Sequence, residues 1–117
     1  MEQLTKRKCK PCEGGIPALS RKEAERLLSQ LRGWELSSDT KKISHTYVMK
    51  DFISAIGLIE EIGVVAEADD HHPDLHLTNY RKLTVELSTH AIKGLSDNDF
   101  IVAAKIDALP KKLKDAL

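Results

Sequence analysis

The stretch from Asp74 to Leu87 constrains this chain most. Leu75 and Leu77 alternate with polar residues, as do Leu83, Val85 and Leu87, and the polar run Asn79–Lys82 lies between them. Period-two alternation sends every apolar residue to one face, so the spacing predicts two antiparallel strands joined by a tight turn. Opposed residues share a face, and setting Leu75 opposite Val85 and Leu77 opposite Leu83 is the register that keeps the apolar set together. An earlier segment repeats the logic: Trp34–Leu36 and Ile43–Met49 read as strands around a polar turn at Ser37–Lys42.

Helices flank both pairs. Ser20 and Glu23 have the spacing of a capping box, in which side-chain oxygens satisfy the free amides of a helix start. Ala24, Leu27, Leu28 and Leu31 follow at helical spacing, predicting a helix over 21–32 that ends near Gly33. Asp51 can cap a second helix whose stripe is Phe52, Ala55, Ile56, Ile59, Ile62 and Ala66. Ile53, Leu58, Val64 and Val65 widen that stripe, so burial on more than one side is expected. Pro73 stops the helix near His72, because the residue before proline is pushed to extended geometry. Ser96 and Asp99 offer a variant capping box for a last helix from Asp97 to about Leu109. The order α-β-β-α-β-β-α predicts an α+β domain over residues 20–117, a four-stranded antiparallel sheet with helices packed on one face. Residues 1–19, with Pro11, Gly14, Gly15 and Pro17, read as an irregular arm.

Charge narrows the function. Among 117 residues, 18 Lys and Arg balance 18 Asp and Glu, so bulk attraction to nucleic acid or an anionic membrane is not expected. No apolar run approaches the ~20 residues of a membrane span, and the opening Met-Glu-Gln-Leu-Thr-Lys-Arg-Lys lacks the apolar stretch of a signal peptide. A cytoplasmic protein is therefore expected. Cys9 and Cys12 form a lone Cys-Lys-Pro-Cys, and a structural zinc would want four ligands. The pair reads as incidental, with a redox or shared-metal role as the alternative.

Four of the five histidines, at 71, 72, 76 and 90, fall within 20 residues. Extending the strand register beyond the hairpin places His90 opposite Asp70, one step from His71, and His72 opposite Ser88. Clustered imidazoles titrate near ~6.5 and can supply both a proton donor and an acceptor at neutral pH. On the residues alone three readings stand: solvated histidines, a zinc site, or acid–base catalysis. The spacing is neither HExxH nor that of a zinc finger. His45 and His76 read as structural strand positions, and Asp99 as a helix-capping residue three places after Ser96.

The run Glu67-Ala-Asp-Asp-His-His-Pro73, then Tyr80, Leu87-Ser-Thr-His90, Gly94-Leu-Ser96 and Asp99, resembles the pterin-4a-carbinolamine dehydratases, also called 4a-hydroxytetrahydrobiopterin dehydratases. Gly33-Trp34 and Lys50-Asp-Phe52 are similar to other family landmarks, and the resemblance covers roughly residues 16–109. Departures are Leu75 and Ala91, where members often carry tryptophan and an acidic residue. The Cys9–Gly15 prefix resembles the arm of many microbial and plant members. The resemblance implies an α+β subunit forming homodimers or homotetramers, and a hydro-lyase with no metal or organic cofactor. The implied reaction dehydrates a 4a-hydroxytetrahydropterin to quinonoid dihydropterin, recycling the cofactor of aromatic amino acid hydroxylases. It implies His71, His72 and His90 as catalytic, with Asp70, Ser88, Thr89 and Ala91 joining them in substrate binding and Glu67 and Asp99 in support. It also carries an alternative, since relatives act as dimerisation cofactors for a transcription factor or as assembly factors without catalysis.

Overall fold

The computed structural model describes residues 3–10 and 16–114. After a short 3-10 turn at Leu4–Lys6 come α1 (Arg21–Leu28), β1 (Glu35–Leu36), β2 (Ile43–Val48), α2 (Phe52–Asp69), β3 (Asp74–Thr78), β4 (Lys82–Leu87) and α3 (Asp97–Ala108). The expected α+β architecture is present: the four strands form one antiparallel sheet in the order β1-β2-β4-β3. Leu75 pairs with Val85 and Leu77 with Leu83, the register that the alternation demanded. β2 lies against β4, Ile43 opposite Leu87 and Tyr47 opposite Leu83. Ile43, Tyr47, Leu83, Val85 and Leu87 are therefore buried together on the helix-covered face. The other face carries Thr46 bonded to Thr84 and His76 bonded to Glu86.

α3 fills the centre. Phe100, Ile101, Val102, Ala103 and Ile106 are all buried, which surrounds this helix with apolar contacts on nearly every side. Its far end is tied to the sheet through Asp107, which accepts hydrogen bonds from Trp34 Nε1 at 3.0 Å and from the Tyr47 hydroxyl. Burial alone would raise the Asp107 carboxyl, but His45, Tyr47 and Trp34 outweigh it and hold the group below the usual carboxylate range. Tyr47 moves upward, through burial first and Asp107 second. His45 stacks on Tyr47 and meets Trp34 edge-on, with Nδ1 3.7 Å from Asp107, so on β2 it both packs and faces the Asp107 carboxylate.

Two helices differ from expectation. α1 ends at Leu28 rather than residue 32: the Ser29 hydroxyl turns back to the Arg26 carbonyl, and Gln30 and Leu31 close tight turns onto Leu27 and Leu28. Gly33 then adopts φ +78°, where a side chain would also strike the His45 ring. α2 buries a narrower line than its composition suggested, namely Ala55, Leu58, Ile62, Ala66 and Asp69. Phe52, Ile53 and Val64 lie on the exposed side of this single chain, so burial on a second side is not supplied from within it. Among the described residues no helix is long and apolar enough to cross a membrane. Cys12 lies outside the described residues, as do Pro11, Gly14 and Gly15.

Candidate active site

Three chain reversals converge at one end of the sheet. The first ends α2. Asp70 takes a left-handed conformation (φ 50°, ψ 43°), its amide donates to Glu67 and the His71 amide donates to Ala66. This is the paired 6→1 and 5→2 bonding of a Schellman ending, with aspartate where glycine is the low-strain choice. It turns His71, His72 and Pro73 out of the helix and into β3. The second reversal follows β4, where Thr89 and Gly94 form a bridge that closes the 3-10 turn His90–Ile92. Gly94 is needed for space: a Cβ there would lie 2.6 Å from the Ala18 Cβ. The third is the start of α3, capped at Ser96.

These segments enclose a cavity of about 440 Å³. His71, His72 and His90 line it with Asp70, Ser88, Thr89 and Ala91, and Asp69, Asn98, Cys9 and Lys10 complete the wall. A volume of this order suits a small heterocycle, since ligand pockets run to ~300–1,000 Å³.

Asp99 organises the deepest part. The residue is fully buried, and one carboxylate oxygen lies 2.7 Å from His71 Nε2. The other accepts from the Thr89 hydroxyl at 2.8 Å and from the Ser96 amide at 3.0 Å. A carboxylate only accepts, so His71 Nε2 carries the hydrogen and Nδ1 is the nitrogen left for a ligand. His72 is more exposed, and its Nε2 pairs with Glu67 one turn earlier. His90 is exposed, with no side-chain partner among the described residues. The set therefore holds one imidazole fixed from behind, one braced at the rim and one free to move protons.

All seven residues expected to bind or act on substrate face one cavity, while Glu67 and Asp99 stand behind it holding His72 and His71. Asp99 takes the capping position expected of it, one carboxylate oxygen accepting from Ser96 while the other faces His71. His76 points to Glu86 on the outer face, and Tyr80 sits exposed at the β3–β4 turn. The sequence reading missed Asp69, Asn98, Cys9 and Lys10. Asp69 and Asn98 each adjoin a residue it singled out, but nothing local signalled that the arm would reach them. The Cys9 thiol is pushed up to about 12, by burial first and by Asp69 second, which keeps it neutral. A zinc site would need three or four donors, and no three His, Cys, Asp or Glu of the described residues are placed to hold an ion.

Comparison with known proteins points the same way. The family model described as pterin 4 alpha carbinolamine dehydratase matches residues 17–109. A Nitrosomonas europaea protein with the provisional name pterin-4-alpha-carbinolamine dehydratase is 50% identical over 109 residues, 92% of this chain and 94% of its own. The mitochondrial pterin-4-alpha-carbinolamine dehydratase 2 of Arabidopsis thaliana is 38% identical over 93% of this chain and 60% of its own. Among solved structures, a transcriptional coactivator/pterin dehydratase from Brucella melitensis superposes with a TM-score of 0.73 at 31% identity, covering 78% of this chain and 96% of that one.

Proposed function

The chain belongs to the pterin 4 alpha carbinolamine dehydratase family, a group of hydro-lyases, and on that premise we propose that it dehydrates a 4a-hydroxytetrahydropterin by histidine acid–base catalysis. The observation that carries this reading is the single cavity lined by His71, His72 and His90, with His71 backed by buried Asp99. Hydroxide is a poor leaving group from a saturated ring carbon, so a general acid must protonate it and let it depart as water. A general base takes the ring N–H proton, and the electron pair closes the C=N bond of the quinonoid dihydropterin. One proton is given and one is taken, so no net charge accumulates.

His71 and His90 are assigned to these transfers. His71 is positioned by Asp99 with one nitrogen available, and His90 has both ring nitrogens uncommitted. His72, braced by Glu67 at the rim, is assigned to holding the ring, together with Asp70, Ser88, Thr89 and Ala91. The scheme draws on side chains alone, and it suits recycling of the pterin used by aromatic amino acid hydroxylases. Stopped-flow dehydration of a carbinolamine tests it: His71→Ala and His90→Ala should each lower kcat by ~10²–10⁴-fold. His72→Ala should mainly raise KM. Normal turnover by either of the first two variants removes that residue from the chemistry.

A second activity is favoured by one feature. The Brucella melitensis relative is described as a coactivator as well as a dehydratase, and α2 here presents Phe52, Ile53 and Val64 to solvent. Apolar groups so exposed suit association with a second copy or a partner, in a homodimer or homotetramer, without disturbing the cavity.

A further inference from the structure

The arm before α1 carries a Cys-Lys-Pro-Cys run that the dehydration scheme leaves unused, yet its first half is built into the site. Leu4 is buried in the core and Arg7 pairs with Asp97 at 2.9 Å, so the segment is anchored on α3 before it reaches the cavity. At the cavity the Asn98 side chain grips the Lys10 backbone from both sides: its Oδ1 accepts from the Lys10 amide at 3.0 Å and its Nδ2 donates to the Lys10 carbonyl at 2.6 Å. The Cys9 amide donates to Asp69, which is itself fixed by Lys105 Nζ at 2.7 Å. Both Asn98 and Asp69 are buried. Such paired side-chain-to-backbone bonds fix a strand of chain whatever its side chains are.

We propose that Cys9 and Lys10, clamped by Asn98 and Asp69, form a wall of the substrate pocket and set how tightly the pterin is held. Asn98 and Asp69 are positioning residues here. With its backbone groups taken up by the clamp and the Cys9 thiol donating to the Asn98 carbonyl at 3.7 Å, the arm offers the ligand the neutral sulfur surface, the methylenes of Lys10 and the ammonium at their end. These suit the edge of a flat, polar-substituted ring. Asn98 also adjoins Asp99, so the wall and the His71 anchor spring from the same helical turn and keep a fixed separation.

The inference rests on the dehydratase reading, and its test separates the two. In a Cys12→Ser chain, N-ethylmaleimide labelling of Cys9 is followed by mass spectrometry with and without saturating 7,8-dihydrobiopterin, alongside carbinolamine turnover by the same protein. Bound pterin should slow labelling about tenfold or more, and Asn98→Leu should raise KM about tenfold while kcat falls less than about threefold, the pattern of lost uniform binding. Should Asn98→Leu not fold, the labelling result stands by itself in the Asn98 protein. Turnover with Cys9 labelled equally fast in both conditions overturns the wall and leaves the dehydratase intact. Absence of both turnover and pterin binding brings down the dehydratase reading, and the wall with it.

Discussion

Replacing Asp99 by asparagine separates proton transfer from architecture at one atom. In the native chain one oxygen of Asp99 accepts from Thr89 and Ser96, and the other faces His71 Nε2 at 2.7 Å. An asparagine of the same shape keeps a carbonyl oxygen for Thr89 and Ser96 but presents an NH₂ to His71. The ring must then accept at Nε2 and carry its hydrogen on Nδ1, so the nitrogen left for substrate changes from acceptor to donor. All three hydrogen bonds keep a partner but pass from charge-assisted to neutral, for a loss of ~1–3 kcal/mol in stability. Activity should fall much further, by ~10²–10⁴-fold in kcat if His71 must take a proton at Nδ1. Asp99→Ala strips all three donors of their buried acceptor and should destabilise by ~3–5 kcal/mol. Stopped-flow dehydration and thermal unfolding of the three proteins side by side supply the measurements. An Asp99→Asn enzyme within about threefold of native kcat would refute the coupling between this carboxylate and the chemistry.

Other perturbations probe the frame around the site. Asp70→Gly relieves a left-handed residue (φ 50°) and should raise stability by ~1 kcal/mol while weakening pterin binding; a lower melting temperature would contradict the strain. Gly94→Ala drives a methyl to within 2.6 Å of Ala18, with an expected loss of ~1–3 kcal/mol, and Ala18→Gly in the same chain should restore it. Failure of that rescue would mean that backbone freedom rather than space demands the glycine. For pH, Asp107 titrates lower in the folded state than in the unfolded chain, so its contribution is complete above the unfolded value near ~3.9 and fades as pH falls through the folded one. The melting-temperature gap between native protein and Asp107→Asn should accordingly be present at pH 5 and shrink below pH 4. A gap that widens in acid would reverse the sign.

Local pattern made much of this molecule legible. The β3–β4 register follows from five apolar residues, because slipping β3 by one would turn Leu75 and Leu77 away from the face that Leu83, Val85 and Leu87 share. Pro73 only bounds α2 near His72; the helix ends earlier, at Asp69, because Asp70 turns left-handed. What sequence did not convey is the joining of the two hairpins: turns specify which strands are neighbours in each pair, and nothing local says that β4 inserts beside β2. The same distinction holds at the site. Register drew His71, His72 and His90 together, although the β3–β4 ladder stops at the Asp74–Glu86 pair, short of all three. Convergence comes instead from the left-handed turn at Asp70 and the Thr89–Gly94 bridge. Asn98 and the arm lay beyond reach, since a contact between residues 88 apart leaves no periodic trace. α1 ran short for the opposite reason, the Ser29 hydroxyl donating to the Arg26 carbonyl where apolar spacing alone would have carried the helix on.

The Asp70 reversal makes the length of α2 part of the site's specification. From the Asp51 cap to Asp70 this helix acts as a measured rod whose last residue fixes the azimuth at which the two imidazoles leave. One residue inserted ahead of Glu67 would advance that exit by about 1.5 Å and swing it by roughly 100°. Both His71 and the Glu67 brace of His72 would be carried round together, away from a carboxylate anchored on a different helix. Point substitutions along the exposed flank of α2 are tolerable on this view, whereas a single-codon insertion or deletion is not.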